Sequence, residues 1–263
     1  MNSLKYILQD MVTPQKKTTV KKQKSKTLNT KPTLRKRIWR YTYRTALILW
    51  LLSIISVVVL KYVPVYFTPL MILRSCQSIL NGKTPRNDKT WVYIEDISDN
   101  LTIAFIASED NLFTKHNGFS KNAIKQALKE RFEGKRIRGG STISQQTAKN
   151  VFTFGTRTWF RKGIETYYTI LIELIWGKER IMEVYLNIVE LGDGIYGAEA
   201  AARHYWGIPA KKLTKRQSAL MAAALPNPRH YNITSPGPYM QKRQKQILDL
   251  MPKMGKIQFL NNK

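Results

Sequence analysis

Along the chain, the longest uninterrupted apolar run is Thr45 to Phe67, TALILWLLSIISVVVLKYVPVYF, in which Lys61 is the only charge. At about 1.5 Å per residue a helix of this length reaches ~34 Å, enough to cross a hydrocarbon core of ~30 Å. Lys61 sits near one end, where its ammonium can snorkel to the interface. The run has no amphipathic stripe, begins more than 40 residues into the chain and has no small-residue cleavage pattern after it. A retained single-pass anchor over 45–67 is therefore expected, ahead of a buried core helix or a signal peptide.

Beyond residue 70 the hydrophobic spacing is helical, and the strongest strand candidate is only Trp91 to Ile94. Ser98 or Asp99 can cap a helix running to about Ser108, and Ser120 another through Ala123, Ala127, Leu128 and Phe132 to Gly134. Thr158 starts a long periodic helix closed at Gly177, and a further helix spans about Lys178 to Val189. Thr214 and Gln217 form a capping box before an alanine-rich helix stopped by Pro226, and Pro236 opens a last, basic helix. This predicts a mainly α fold: a transmembrane helix, then one helical domain of two lobes around a cleft, over 68–250, with a short tail over 251–263.

Charge adds a direction. Of the 44 Lys and Arg residues, 13 lie in residues 1–44 beside a single acid, Asp10, and the whole chain carries a formal +27. Basic residues before the span place the tail in the cytoplasm and the chain after residue 68 outside. The tail, polar and poor in large apolar groups from Lys16 to Lys36, is expected to be disordered and suited to anionic lipid. Cys76 is the only cysteine, so no intramolecular disulfide can form.

The candidate chemistry lies in four stretches. Glu109 and Asp110 end an apolar helix where the macrodipole disfavours anions, ahead of Phe113, His116 and Gly118. That pair alone leaves a surface turn and a catalytic base equally open. Gly139 to Gln146, GGSTISQQ, introduces hydroxyl and amide side chains that could hold phosphate or sugar, with Lys149 one turn further on. Arg157, Arg161 and Lys162 put three cations near Glu165 at a helix start, and Arg180, Glu183 and Asn187 share one face of the next helix. His116, His204 and His230 are scattered, and HExxH, cysteine-cluster, Walker and GxSxG patterns are all missing, so no metal site is expected.

Taken in order, these stretches resemble the motif set of glycosyltransferase family 51, the peptidoglycan glycosyltransferases. E-D-x-x-F-x-x-H-x-G is met by Glu109, Asp110, Phe113, His116 and Gly118; G-G-S-T-I-[ST]-Q-Q by Gly139 to Gln146; R-K-x-x-E by Arg161, Lys162 and Glu165; and K-x-R-I-x-E-x-Y-L-N by Lys178 to Asn187. The similarity runs from about Pro69 to Tyr239, and the remaining length leaves no room for a transpeptidase domain, so a monofunctional form is expected. Ile164 departs from members with lysine beside the second glutamate.

The resemblance implies a lysozyme-like helical fold and an inverting polymerisation of lipid II into glycan strands. It makes Glu109 the general base and Glu165 a second catalytic carboxylate that orients the cations. Lys149, Arg157, Arg161 and Lys162 would stabilise a polyprenyl diphosphate leaving group. Ser141, Thr142, Gln145 and Gln146 would hold sugar or phosphate, and Asp110, Phe113, His116, Arg180, Glu183 and Asn187 complete the expected substrate-binding set. Implied partners are lipid II, the growing strand and membrane lipids, with other cell-wall synthesis proteins as candidates; nucleic acid is not expected. No tightly bound cofactor is implied, and a Mg or Mn requirement stays open. The rivals are a lysozyme-like hydrolase, with water in place of the acceptor, and a tethered nucleic-acid binder that leaves the outer motifs unexplained.

Overall fold

A computed structural model describes residues 33–120, 125, 132–133, 140–155 and 158–260. The chain divides into two compact units, 1–47 and 48–263. The described part of the first unit is the exposed start of helix α1, Leu34–Tyr62, which continues into the second. Among the described residues α1 is the one helix long and apolar enough to cross a membrane.

Its limits differ from the expected 45–67. Residues 34–44 are helical rather than disordered, because a helix already nucleated propagates through Arg and Lys, which are good helix formers. At the other end Pro64 forces Val63 out of the α region, so the helix stops at Tyr62 and not at Phe67.

Helix α2, Pro69–Leu80, was not foreseen, although Thr68-Pro69 carries a start signal: the Thr68 hydroxyl accepts from the Met71 N–H at 3.3 Å and Pro69 occupies the first turn. Helix α3, Asp99–Glu109, follows where predicted, but the Ser98 hydroxyl donates to the Leu213 carbonyl instead of capping it. The helix expected after Ser120, with Ala123, Ala127, Leu128 and Gly134, lies largely outside the described residues.

Helices α4, Ile143–Phe152, α5, Trp159–Ile175, and α6, Gly177–Ile188, come next. Thr158 caps α5 as predicted, and α5 ends at Ile175 because Gly177, at φ +78°, turns the chain directly into α6. Helix α7 is Ala198–Trp206; α8, Lys215–Ala224, begins with the Thr214–Gln217 capping box; and α9, Pro238–Leu250, starts two residues beyond Pro236.

The helices pack in two groups. α3 lies against α8 and α9, and α4 against α5 and α6. Ser218 to Ala224 of α8 are all buried, and the run of alanines lets α3 approach closely around Leu101, Ala104 and Phe105. A small sheet closes one edge: β2, Glu190–Gly192, pairs antiparallel with β3, Ile195–Tyr196, which pairs parallel with β1, Asp88–Lys89. After β3, Gly197 sits at φ +85°, where a Cβ would come within 2.6 Å of the Asn187 carbonyl oxygen.

Trp91–Ile94 is not a ladder strand. Asn187 takes the place of a neighbouring strand there: its Oδ1 accepts from the Val92 N–H at 3.0 Å and its Nδ2 donates to the Val92 carbonyl at 2.8 Å.

Within the second unit, α1 is fastened to the helical body. Ser53 and Tyr167 hydroxyls lie 2.8 Å apart, and Trp176 Nε1 donates to the Val57 carbonyl at 2.7 Å. Arg180 Nη2 donates to the carbonyls of Leu60, at 2.8 Å, and Val63, at 2.7 Å. Lys89 Nζ donates to the carbonyls of Val65 and Tyr66. Arg180 thereby meets the Leu60 carbonyl in the last turn of α1, where a cation suits the helix dipole, while Lys89 holds the segment that follows.

Candidate active site

Glu109 is the last residue of α3, and its carboxylate reaches α4: Gln146 Nε2 donates to Oε2 at 2.9 Å. Among the described residues Oε1 carries no hydrogen bond. The same amide receives the Tyr185 hydroxyl from α6, which donates to Gln146 Oε1 at 3.2 Å. Tyr185 is fully buried, edge-on to Phe105 with ring centres 6.0 Å apart. Burial, reinforced by the charges of Glu109 and Asp110, pushes its phenol well above the usual range, so the proton stays on oxygen and is available to donate.

The turn that presents Glu109 is built by its neighbours. His116 Nε2 contacts both Asp110 oxygens, at 2.9 and 3.0 Å, and Asp110 Oδ2 accepts the Ile143 N–H at 3.1 Å. A carboxylate is thereby placed at the start of α4, where the helix dipole favours it. Thr142 and Gln145 form a reciprocal capping box on α4, and the Thr142 hydroxyl donates to the Gly118 carbonyl at 2.7 Å. Gly118, at φ +83°, has no room for a Cβ: Thr169 Cγ2 would be 2.8 Å away. Phe113 is fully buried, with the Lys178 ammonium 4.6 Å from its ring centre. Lys178 also pairs with Glu173 at 2.6 Å, and Glu173 accepts from Ser144.

A second ionic cluster lies at the start of α5. Glu165 is buried and pairs with Arg161 Nη1 at 3.3 Å and Lys162 Nζ at 2.5 Å, while the Thr158 hydroxyl accepts the Arg161 N–H at 3.1 Å. Ser141 and Lys149 are exposed on α4 and its approach. Arg157 and Gly139 lie outside the described residues.

The fourth expected stretch has a different placement. Arg180 pairs with Glu183, whose other oxygen accepts the Ile94 N–H at 2.9 Å, and Asn187 holds Val92. Their hydrogen bonds join α6 to the Trp91–Ile94 segment and to the end of α1, so these contacts are architectural. Asp110, Thr142 and Gln145 likewise bond within the chain, and His116 holds Asp110 through Nε2 while its buried Nδ1 has no partner among the described residues. What the structure brings to one point is Glu109 with Gln146.

Two participants were not singled out from the sequence. Tyr185 stood in a motif with no role attached, and Arg243 of α9 donates to the Ser108 carbonyl at 3.2 Å, next to Glu109. The helical spacing of Tyr185 reads as core, which it is; no local pattern ties Arg243 to Glu109.

This arrangement coincides with the region matched by a family model described as Transglycosylase, residues 77–252. The chain belongs to the transglycosylase family. It is 52% identical over 216 residues to a protein of Bacteroides thetaiotaomicron named biosynthetic peptidoglycan transglycosylase, covering 82% of this chain and 87% of that one. It is 45% identical over 228 residues to a protein of the same name from Aeromonas hydrophila, covering 86% and 96%. A further protein so named, from Caulobacter vibrioides, is 47% identical over 194 residues, covering 74% and 82%. As a transglycosylase-family chain it carries Glu109, Gln146 and Glu165 all within the matched region.

Proposed function

We propose that this protein is a peptidoglycan glycosyltransferase that polymerises lipid II into β-1,4-linked glycan strands for the cell wall. Family membership and relatives bearing that name support the reaction class. The single observation that carries the assignment of roles is the Glu109 carboxylate at the end of α3, fixed through one oxygen by Gln146 and, among the described residues, with no hydrogen bond on the other.

In this reading the acceptor sugar's 4-hydroxyl donates to Glu109 Oε1. As its oxygen bonds to the anomeric carbon of the growing strand, the proton passes to Glu109 and the carbon–oxygen bond to the diphosphate breaks. The electron pair leaves with the polyprenyl diphosphate, and attack from the opposite face inverts the anomeric centre. Arg161 and Lys162, held by Glu165, supply positive charge to the leaving group, and we assign Lys149 and Arg157 the same role. Ser141 and Gln146 bind sugar hydroxyls or phosphate.

Among the described residues no group of three or more His, Cys, Asp and Glu side chains is placed to hold a metal ion. We read the enzyme as having no tightly bound cofactor. A Mg or Mn ion, where turnover requires one, travels with the substrate diphosphate, since Mg binds through few carboxylates and substrate phosphates.

Both substrates are lipids, and the fold suits a membrane surface. Phe67, Trp159, Phe160 and Leu174 are each more than three-quarters exposed, on α5 and on the segment that follows α1. Such side chains are stable in the bilayer interface, where Trp and Phe are favoured. Anchoring both enzyme and substrate raises effective concentration without new contacts. The basic residues before α1 favour a cytoplasmic N-terminus and a catalytic domain on the outer face of the bacterial cytoplasmic membrane.

The test is to incubate the full chain and its Glu109→Gln variant with labelled lipid II and separate products before and after muramidase digestion. Muramidase-sensitive polymer from the wild type alone supports the reading. Cleavage of preformed glycan without polymer would make Glu109 a hydrolase acid instead.

A further inference from the structure

A carboxylate at a helix end is a useful base only if its donors are fixed, and the donor to Glu109 is a primary amide that can rotate. Turned by 180°, Gln146 would present its oxygen to the Glu109 carboxylate and its NH2 to Tyr185. One polar contact on each side decides between the two orientations. Ser141 offers its carbonyl to Gln146 Nε2 at 3.4 Å, a marginal bond. On the oxygen side the partner is the Tyr185 hydroxyl at 3.2 Å, delivered from α6.

We propose that Tyr185 is a positioning residue: its buried hydroxyl donates to Gln146 Oε1, locking the amide so that Nε2 faces Glu109. The chain of donors runs in one direction, from phenol to amide oxygen and from amide nitrogen to carboxylate, so each bond polarises the next. The phenol suits this job because burial holds its proton and because the ring, packed edge-on to Phe105, cannot swing away. It also ties α6 and α4 to the end of α3, one helix from the first packing group and two from the second. The proposal rests on Glu109 as the base.

The elements around Glu109 carry several charged groups, among them Lys242, Lys245 and Asp249 of α9. Asp110 is adjacent and held by His116; Tyr185 comes from α6; and Arg243 of α9 lies at the Ser108 carbonyl. From α4, Gln146 is neutral and Lys149 is one turn further along. The charged residues of α8, Lys215 and Arg216, are exposed in its first turn, as is Lys253 in the turn after α9. Among the described residues, removing the Tyr185 hydroxyl therefore alters the Gln146 contact and no ionic one.

The experiment is a double-mutant cycle in the full chain, with Tyr185→Phe, Gln146→Leu and the pair, following lipid II polymerisation, with Glu109→Gln measured beside them. Tyr185→Phe should lower kcat about tenfold with KM unchanged within about twofold, since misplacement and not lost binding is the cause. On the Gln146→Leu background the same change should have no further effect, because the amide it orients is gone.

Wild-type kcat in Tyr185→Phe, or losses that multiply with those of Gln146→Leu, would overturn the proposal. A lowered thermal midpoint with kcat and KM changed alike on either Gln146 background would also overturn it, by making Tyr185 a packing residue only. If Glu109→Gln still polymerised, the base assignment would be at fault and the relay would fall with it; an inactive Glu109→Gln leaves the cycle to judge Tyr185 alone.

Discussion

Two clusters of motif residues in this molecule look alike as sequence and differ in what they do. Around Glu109, one carboxylate oxygen is fixed by Gln146 and the other carries no hydrogen bond among the described residues, at the junction of α3 and α4. Around Arg180, Glu183 and Asn187, the recorded contacts close inward on Ile94, Val92, Leu60 and Val63. In the proposed reading the first cluster holds the base in place with one oxygen open to substrate. The second holds the domain to the end of its anchor. A motif match locates important residues, but only the direction of their hydrogen bonds separates chemistry from architecture.

The sharpest way to break this contrast is at its catalytic end. Glu109→Gln should cost about a thousandfold in polymerisation rate, within the range for loss of a positioned general base, and leave thermal unfolding nearly unchanged. Arg180→Met should do the reverse. It strands the Glu183 carboxylate, largely buried and held otherwise by the Ile94 N–H, at a cost of about 3 kcal/mol. Thermal unfolding in detergent should show that loss, while the folded fraction turns over near the wild-type rate.

Thr142→Val sits between the two clusters in kind. It removes a cap of α4 and a donor to Gly118, and should cost about 1 kcal/mol of stability, with a matching modest fall in rate as Gln146 loses its firm base. A pH-dependent effect concerns the anchor clamp. Burial pushes Lys89 down to about 8 from an ordinary 10.5. Between those values the unfolded chain holds a proton that the folded chain has released, so rising pH favours the folded state. Wild type should therefore gain stability relative to Lys89→Met as pH rises through that window, as denaturant midpoints at several pH values would report.

Much of this was legible beforehand, for identifiable reasons. The Thr158 cap and the Thr214–Gln217 box are local signals with local causes, and each produced an element close to where it was expected, while the apolar run gave the long helix α1 with shifted limits. Errors came where tertiary contacts decide. Trp91–Ile94 has strand-like composition but is held by a side chain, Asn187, that mimics a strand edge. Ser98 gives its hydroxyl to Leu213, more than a hundred residues away, and so does not cap α3. At the site, the motifs named Glu109 and Gln146 together, but a chain of bonds from Tyr185 through Gln146 depends on three helices meeting. Spacing within one helix cannot carry that information.

The most direct test of the contrast is one paired measurement: the polymerisation rate and thermal midpoint of Glu109→Gln and Arg180→Met, prepared as full chains and assayed together on lipid II. The account predicts that the first loses rate and keeps its midpoint, and that the second loses several degrees and keeps its rate per folded molecule. A Glu109→Gln protein that polymerises at the wild-type rate, or an Arg180→Met protein with an unchanged midpoint and no activity, would contradict it.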